Sequence, residues 1–226
     1  MNLSPEALEF LIENAMRNDR EWFQVNKERF RQLVIAPLEE LVSRLAPAML
    51  ELDGQLVVEP RVGRTISRVY RDTRFSKDKS LYRSAMWIVF QRDKRQYPDA
   101  PGFFFDLSPS AVRFGCGYYC ASPSLMQALR EMILEDNPLW LRVQDAMRDQ
   151  DFFEVDGDSF KRTKYPDQPP EKRAYLDRKS LCFLHSSTDY ALAFSDGLAD
   201  ELKRAFFALE PMYELFLRAM ERQARE

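Results

Sequence analysis

Apolar residues recur every three or four positions through the first fifty residues, which predicts helices. Ser4-Pro5-Glu6 reads as a helix start, with Ser4 as N-cap and Pro5 in the first turn, and Leu8, Leu11 and Ile12 give one apolar face. A longer run begins after Asp19 and carries Trp22, Phe23, Phe30, Leu33, Val34, Leu38, Leu41, Val42, Leu45 and Met49. Pro37 is expected to kink or split it, and Pro47 to end it or start another turn.

The period then changes. Leu56–Glu59 and Thr65–Tyr70 read as strands, and Met86–Gln91, Gly102–Leu107 and Val112–Tyr119 as an antiparallel meander closed by the Ser108-Pro109-Ser110 turn. Both faces of Met86–Phe90 are apolar, so this sheet should be covered on both sides, or covered on one and lining a pocket on the other. Ser122 or Ser124 and then Asn137-Pro138 announce two more helices, to about Leu134 and Arg148. Phe152–Val155 and Ser180–His185 read as short strands around a Pro-rich loop at Tyr165–Pro170. A last helical segment runs from about Ser195 to Arg222, interrupted by Pro211. The expectation is an α+β fold: one domain over 1–226, helical over 4–52, mainly β over 56–120 and mainly helical over 122–226.

Composition narrows the class. No run of 18 apolar residues exists, and the acidic, capped N-terminus is unlike a signal peptide. Three cysteines, an odd number, point to a reducing compartment, so a cytoplasmic protein is expected. A net charge of −3 does not favour generic nucleic-acid binding. It leaves room for a focused basic site, and residues 61–83 supply one. They hold eight Arg or Lys against two Asp, a local charge of +6 while the rest of the chain carries −9. Such an excess requires internal partners or an anionic ligand.

The residues Arg68, Arg71-Asp72, Arg74-Phe75-Ser76, Asp78-Lys79 and Tyr82-Arg83 resemble the signature of the DUF2461 family, a domain of unknown function. The likeness extends to Asn14, Arg20-Glu21-Trp22-Phe23, Asn26-Lys27, Gly115, Gly117, Arg130, Lys161-Arg162 and Arg178-Lys179, nearly the whole chain. The sequence departs from the family at Leu81, where proline is usual, and after Lys161-Arg162, where the segment is shortened and lacks Pro-x-Gly. The resemblance implies a relative and no activity.

Read from the residues, Arg68, Arg71, Arg74, Lys79, Tyr82 and Arg83 are the candidate ligand-binding set. Arginine forks suit bidentate phosphate or carboxylate, and lysine adds a point charge. Asp72 and Asp78 would orient the cations, and Tyr70, Tyr82 or Phe75 would stack on or pack beside a base. Three readings stand. In the first, the segment binds a phosphorylated small molecule, a nucleotide or a short nucleic acid. In the second, a phosphoryl or phosphodiester enzyme uses Asp72 or Asp78 as base or Mg²⁺ ligand, the only reading that implies a cofactor. In the third, a non-catalytic module docks an acidic partner, with the Arg/Asp signature acting as a salt-bridge network.

Gly115 and Gly117 in one strand indicate a bulge, a close approach by a ligand, or a bend over a bulky neighbour such as Trp87 or Phe104. Arg113, Tyr118 and Tyr119 would join the site if that strand passes under the basic loop. Lys161-Arg162, Lys164-Tyr165 and Arg178-Lys179 add distant cations to that site or form a solvated basic face. A single histidine, His185, leaves no His-rich metal site, and Cys116 with Cys120 lacks the partners zinc needs. No membrane partner is expected.

Overall fold

The computed structural model describes residues 2–74, 77–118, 121–148 and 150–225. It is an α+β protein with an antiparallel sheet on which helices from both chain ends pack. The strands are β1 (Met86–Gln91), β2 (Gly102–Leu107), β3 (Val112–Gly117), β4 (Glu154–Asp156) and β5 (Cys182–Ser187), in the order β1-β2-β3-β5-β4. The expected meander is therefore present, and β4 pairs antiparallel with β5, Val155 opposite Phe183. Two compact units divide the chain. The first comprises 1–90, 104–114 and 186–203; the second comprises 91–103, 115–185 and 204–226.

In the first unit, α1 (Pro5–Arg17) and α2 (Arg20–Val25) are separated by Asn18 in a left-handed conformation, and the Trp22 amide donates to the Asp19 carboxylate at 2.8 Å. Aspartate therefore caps α2, whereas Ser4 precedes α1 without a side-chain bond to its amides. After α3 (Lys27–Phe30) comes a π turn over Arg31–Ile35, then α4 (Ala36–Leu52). Pro37 was expected to kink or split the run, yet the chain stays helical through it. The Ala36 amide reaches back five residues to the Arg31 carbonyl, and this wider turn relieves the clash that proline imposes in an α-helix. Pro47 lies inside α4 rather than ending it. Both Pro47 and Ser43 are exposed, so the carbonyl that proline leaves without an amide faces water. The core of this unit gathers Phe10, Phe23, Phe30, Leu38, Val42 and Leu45, all buried. On β1, Met86, Ile88 and Phe90 are buried while Trp87 and Val89 are half-exposed, so this strand is fully covered on one face.

Leu56–Glu59 and Thr65–Tyr70 are not strands. The first keeps only an isolated bridge at Leu56, and Val57 offers its carbonyl to the Thr65 hydroxyl instead of to a ladder. The second changes partner midway. It bonds β1 through Ser67 N to Trp87 O (2.9 Å) and Val89 N to Thr65 O (2.9 Å), then turns to pair with 81–83. No ladder persists long enough to make a strand.

The second unit is held by α5 (Pro123–Leu134), α6 (Pro138–Met147), α7 (Pro170–Leu176) and α9 (Glu210–Gln223); α8 (Leu198–Ala208) precedes α9. Ser122 and Asn137 cap α5 and α6 as expected, accepting from the Leu125 and Leu139 amides. Pro211 falls in the first turn of α9, where its missing amide costs nothing. The predicted Pro-rich loop yields to α7 at Pro170, for the same reason. Phe103 packs on Phe206 and Tyr213, and Phe183 on Phe216, while the buried Tyr118 hydroxyl donates to Phe216 O at 2.6 Å.

The strand expected over Val112–Tyr119 ends at Gly117; Tyr119 and Cys120 lie outside the described residues. The two glycines answer to the neighbouring strand. A Cβ at Gly115 would sit 2.1 Å from Phe183 O, and one at Gly117 would sit 2.5 Å from the Cys182 Cα. It is the β5 backbone that excludes their side chains, rather than Trp87 or Phe104.

Candidate functional site

The basic signature folds as an irregular hairpin in the first unit. Arg71 N donates to Leu81 O (2.8 Å) and Arg83 N to Val69 O (2.9 Å), so Tyr70 stands opposite Tyr82. Leu81 N in turn donates to the Asn18 side chain, fixing the returning strand to the end of α1. Alternation then sorts the side chains. Tyr70 and Tyr82 share one face, where their rings lie 5.2 Å apart and both meet Phe23. Arg71 and Arg83 share the other.

The loop between the strands is shaped by its aspartates. Asp72 accepts from the Arg74 amide and Asp78 from the Ser80 amide, each two residues on, which is how aspartate makes a local turn. The same carboxylates hold guanidinium groups: Arg74 reaches Asp72 at 2.6 Å and Arg71 reaches Asp78 at 3.1 Å. The Arg74 side chain, then its amide, hold the Asp72 carboxyl down to about 2. Asp78 is lowered too, first by its bonds from Ser80 and then by Arg71. Lys79 donates to Thr73 O at 2.8 Å and closes the loop. Phe75 and Ser76 lie outside the described residues.

Arg83 donates to Tyr70 O at 3.3 Å and stacks over Trp87 at 4.7 Å, a cation held by a carbonyl and a ring. Arg68 lies across Gly63, where φ is +82° and a Cβ would meet its Nη2 at 3.2 Å. Glycine there serves both the turn and the guanidinium. Arg68 is exposed and has no carboxylate partner among the described residues, and the same holds for Lys77. Tyr82 is 2% exposed, and burial, with the Tyr70 phenol beside it, pushes its hydroxyl up to about 12. Tyr70 is 46% exposed and offers the accessible ring of the pair.

The structure thus brings Arg71 with Asp78, Arg74 with Asp72, and Arg83 with Trp87, while the Arg68 guanidinium lies at Gly63. These cations do not all converge on one point. Arg113 is paired with Asp106 at 2.7 Å, and Tyr118 is spent on Phe216, so neither is free to join the hairpin. Lys161-Arg162, Lys164 and Arg178-Lys179 fall in the other unit. Sequence reasoning gave no role to Trp87 as the seat for Arg83; an aromatic four residues past a cation was the available signal.

For a divalent cation the donor set fits poorly. Asp72 and Asp78 each already serve a backbone amide and a guanidinium, and no group of three or more His, Cys, Asp or Glu side chains able to hold a metal occurs among the described residues. His185 bonds Phe152 O through Nδ1 and stacks on that ring at 4.2 Å, a structural placement.

Comparison with known proteins turns on one match. A family model described as "conserved hypothetical protein (DUF2461)" matches residues 6–215. The chain belongs to this family. No curated protein and no solved structure matches it.

Proposed function

We propose that this DUF2461 protein binds a phosphate-bearing ligand, a nucleotide or a short nucleic-acid segment, on the outer face of the 68–83 hairpin, and that it acts in the cytoplasm. The observation that carries the reading is the exposed Arg68, which has no carboxylate partner among the described residues and precedes the exposed ring of Tyr70 by two positions. A base stacks on a tyrosine face whatever its identity, and a guanidinium on the same hairpin takes the phosphate. Lys77 adds a second cation without a carboxylate partner among the described residues, and the net +6 of the segment raises the local concentration of anions around an otherwise acidic chain. Three cysteines, an odd number, suit a reducing compartment.

Binding is favoured over turnover because Asp72 and Asp78 are committed to arginines and to turn amides. To act as base or Mg²⁺ ligand, either would first have to release a guanidinium. The same exposed cations also suit an acidic protein surface, which makes that the alternative outcome of the test.

Thermal unfolding in the presence of ATP, pyrophosphate and a short single-stranded oligonucleotide separates the readings. A ligand at 100 times its dissociation constant stabilises the native state by about 2.7 kcal/mol. ATP and the oligonucleotide should raise the midpoint, and Tyr70→Ala should lose most of the effect, since stacking contributes ~1–3 kcal/mol per base. No stabilisation by any phosphate compound would refute the proposal and leave the docking of an acidic partner.

A further inference from the structure

The second unit holds its own gathering of like charges. Three cations from three separate stretches surround the Phe160 ring: Lys164 Nζ at 4.0 Å from its centroid, Arg130 Cζ at 5.4 Å and Lys179 Nζ at 5.9 Å. The backbone explains how they meet. Ser159 pairs antiparallel with Arg178, Phe160 N donates to Asp177 O at 2.8 Å, and Lys179 N donates to Asp158 O at 2.6 Å. The Lys164 amide donates to the Asp177 carboxylate at 2.9 Å and folds the following loop back over the ring. Arg130 comes from α5, is 7% exposed, and spends its guanidinium on Leu176 O and Arg178 O. Arg178 is likewise bonded to carbonyls, those of Val155, Gly157 and Ala174.

Arg130 and Arg178 are thus structural forks that tie α5, β4 and α7 together. Lys164 and Lys179 are different. Both ammonium groups are exposed, and neither has a carboxylate partner among the described residues. An aromatic face attracts a cation, but its quadrupole does not neutralise three of them. Asp177, two residues before Lys179, already gives its carboxylate to the Lys164 amide. Their distances to the ring place the two lysine nitrogens no more than about 10 Å apart, a span that the two ends of a diphosphate can bridge through charge-assisted bonds each ~2.7–2.9 Å long.

We propose that Lys164 and Lys179, over the Phe160 ring, form a binding site for the phosphoryl group of a small ligand, with the buried charge of Arg130 raising the local potential. Ammonium groups suit this task because they supply rotatable donors to a tetrahedral oxyanion without requiring a planar fork. This site is independent of the hairpin, and the proposal stands whether or not the hairpin binds a nucleotide.

The test uses the full chain and inorganic pyrophosphate. Acylation of surface lysines, mapped by peptide mass spectrometry, should show selective protection of Lys164 and Lys179, with exposed lysines elsewhere such as Lys27 reacting as before. Calorimetric titration should show affinity falling at least about ten-fold in Lys164→Ala and Lys179→Ala, about 1.4 kcal/mol or more, while Lys27→Ala leaves it unchanged. Phe160→Leu keeps the charges and should lower the protection. Uniform protection of all lysines, no protection, or unchanged affinity in both lysine variants would overturn the assignment. Protection by an oligonucleotide but not by pyrophosphate would overturn the small-ligand class. If a variant fails to fold, the protection pattern of the wild type decides alone.

Discussion

Gly115→Ala tests whether the paired glycines of β3 answer to a ligand or to the fold. At Gly115 a Cβ would lie 2.1 Å from Phe183 O and 2.8 Å from the Leu184 Cα, both backbone atoms of β5. Ordinary contact requires more than 3.4 Å, so the strands must separate by over an ångström. Forcing an extra methyl into packed structure costs ~1–3 kcal/mol, and each ladder hydrogen bond weakened by the separation adds ~1 kcal/mol. The expected loss is about 3–5 kcal/mol, a large share of the ~5–15 kcal/mol that typically separates folded from unfolded chains. Urea unfolding followed by far-ultraviolet circular dichroism measures it: with a slope of about 2–3 kcal/mol per molar, the midpoint should fall by roughly 1–2 M. Gly54→Ala is the control. Its Cβ would meet nothing nearer than Leu50 O at 4.0 Å, and its stability should stay within ~0.5 kcal/mol of wild type. Were Gly115→Ala as stable as Gly54→Ala, the steric account would be wrong, and the glycines would belong to whatever approaches that strand from outside the chain.

Two further outcomes follow from the charges. Arg130→Met removes two bonds from a charged donor to the Leu176 and Arg178 carbonyls, each worth ~1.5–3 kcal/mol, partly offset by relief of a buried cation. The net loss should be about 2–4 kcal/mol, seen as a fall in midpoint of roughly 5–15 °C, and an unchanged midpoint would refute the structural role. Asp72 has a folded value near 2 against an ordinary 3.8, so its contribution is fully present above the ordinary value and is lost as pH falls through about 2. Carboxyl-carbon NMR titration should place its midpoint there, and Arg74→Ala should return it toward 3.8; an ordinary midpoint in the wild type would show that the Arg74 bond does not persist in solution.

Much of the fold could be read in the sequence because local chemistry and packing agree over most of the chain. Asp19, Ser122 and Asn137 sit where a side-chain oxygen can take an orphan amide, and each begins a helix. The alternation of Met86 to Phe90 is followed by burial of every second residue. What escaped the sequence depends on partners distant in the chain. Thr65–Tyr70 has strand composition but trades β1 for 81–83 in mid-course, and no local pattern records that exchange. Pro37 and Pro47 lie inside helical structure because a π turn and an exposed carbonyl accommodate them, and proline rules alone predict breaks.

At the site, the cations of 61–83 could be recognised as an excess, and the Asp72 and Asp78 turns follow from their spacing. Which cations stay unpaired could not be foreseen: among the described residues Arg68 and Lys77 have no carboxylate partner, whereas Arg71 and Arg74 have one. The Phe160 cluster was legible only as scattered basic pairs, because Phe160 meets Arg130 and Lys179 through tertiary pairing.

The central claim is that the Arg68 cation, without a carboxylate partner among the described residues, is kept for a phosphate ligand. Calorimetric titration of ATP into Lys164→Ala, which lacks the second phosphate site, and into Arg68→Ala combined with Lys164→Ala tests it most directly. Saturable binding to Lys164→Ala should weaken at least about ten-fold, or 1.4 kcal/mol, in the double variant. Binding that is absent from Lys164→Ala, or equal in the two variants, would contradict it.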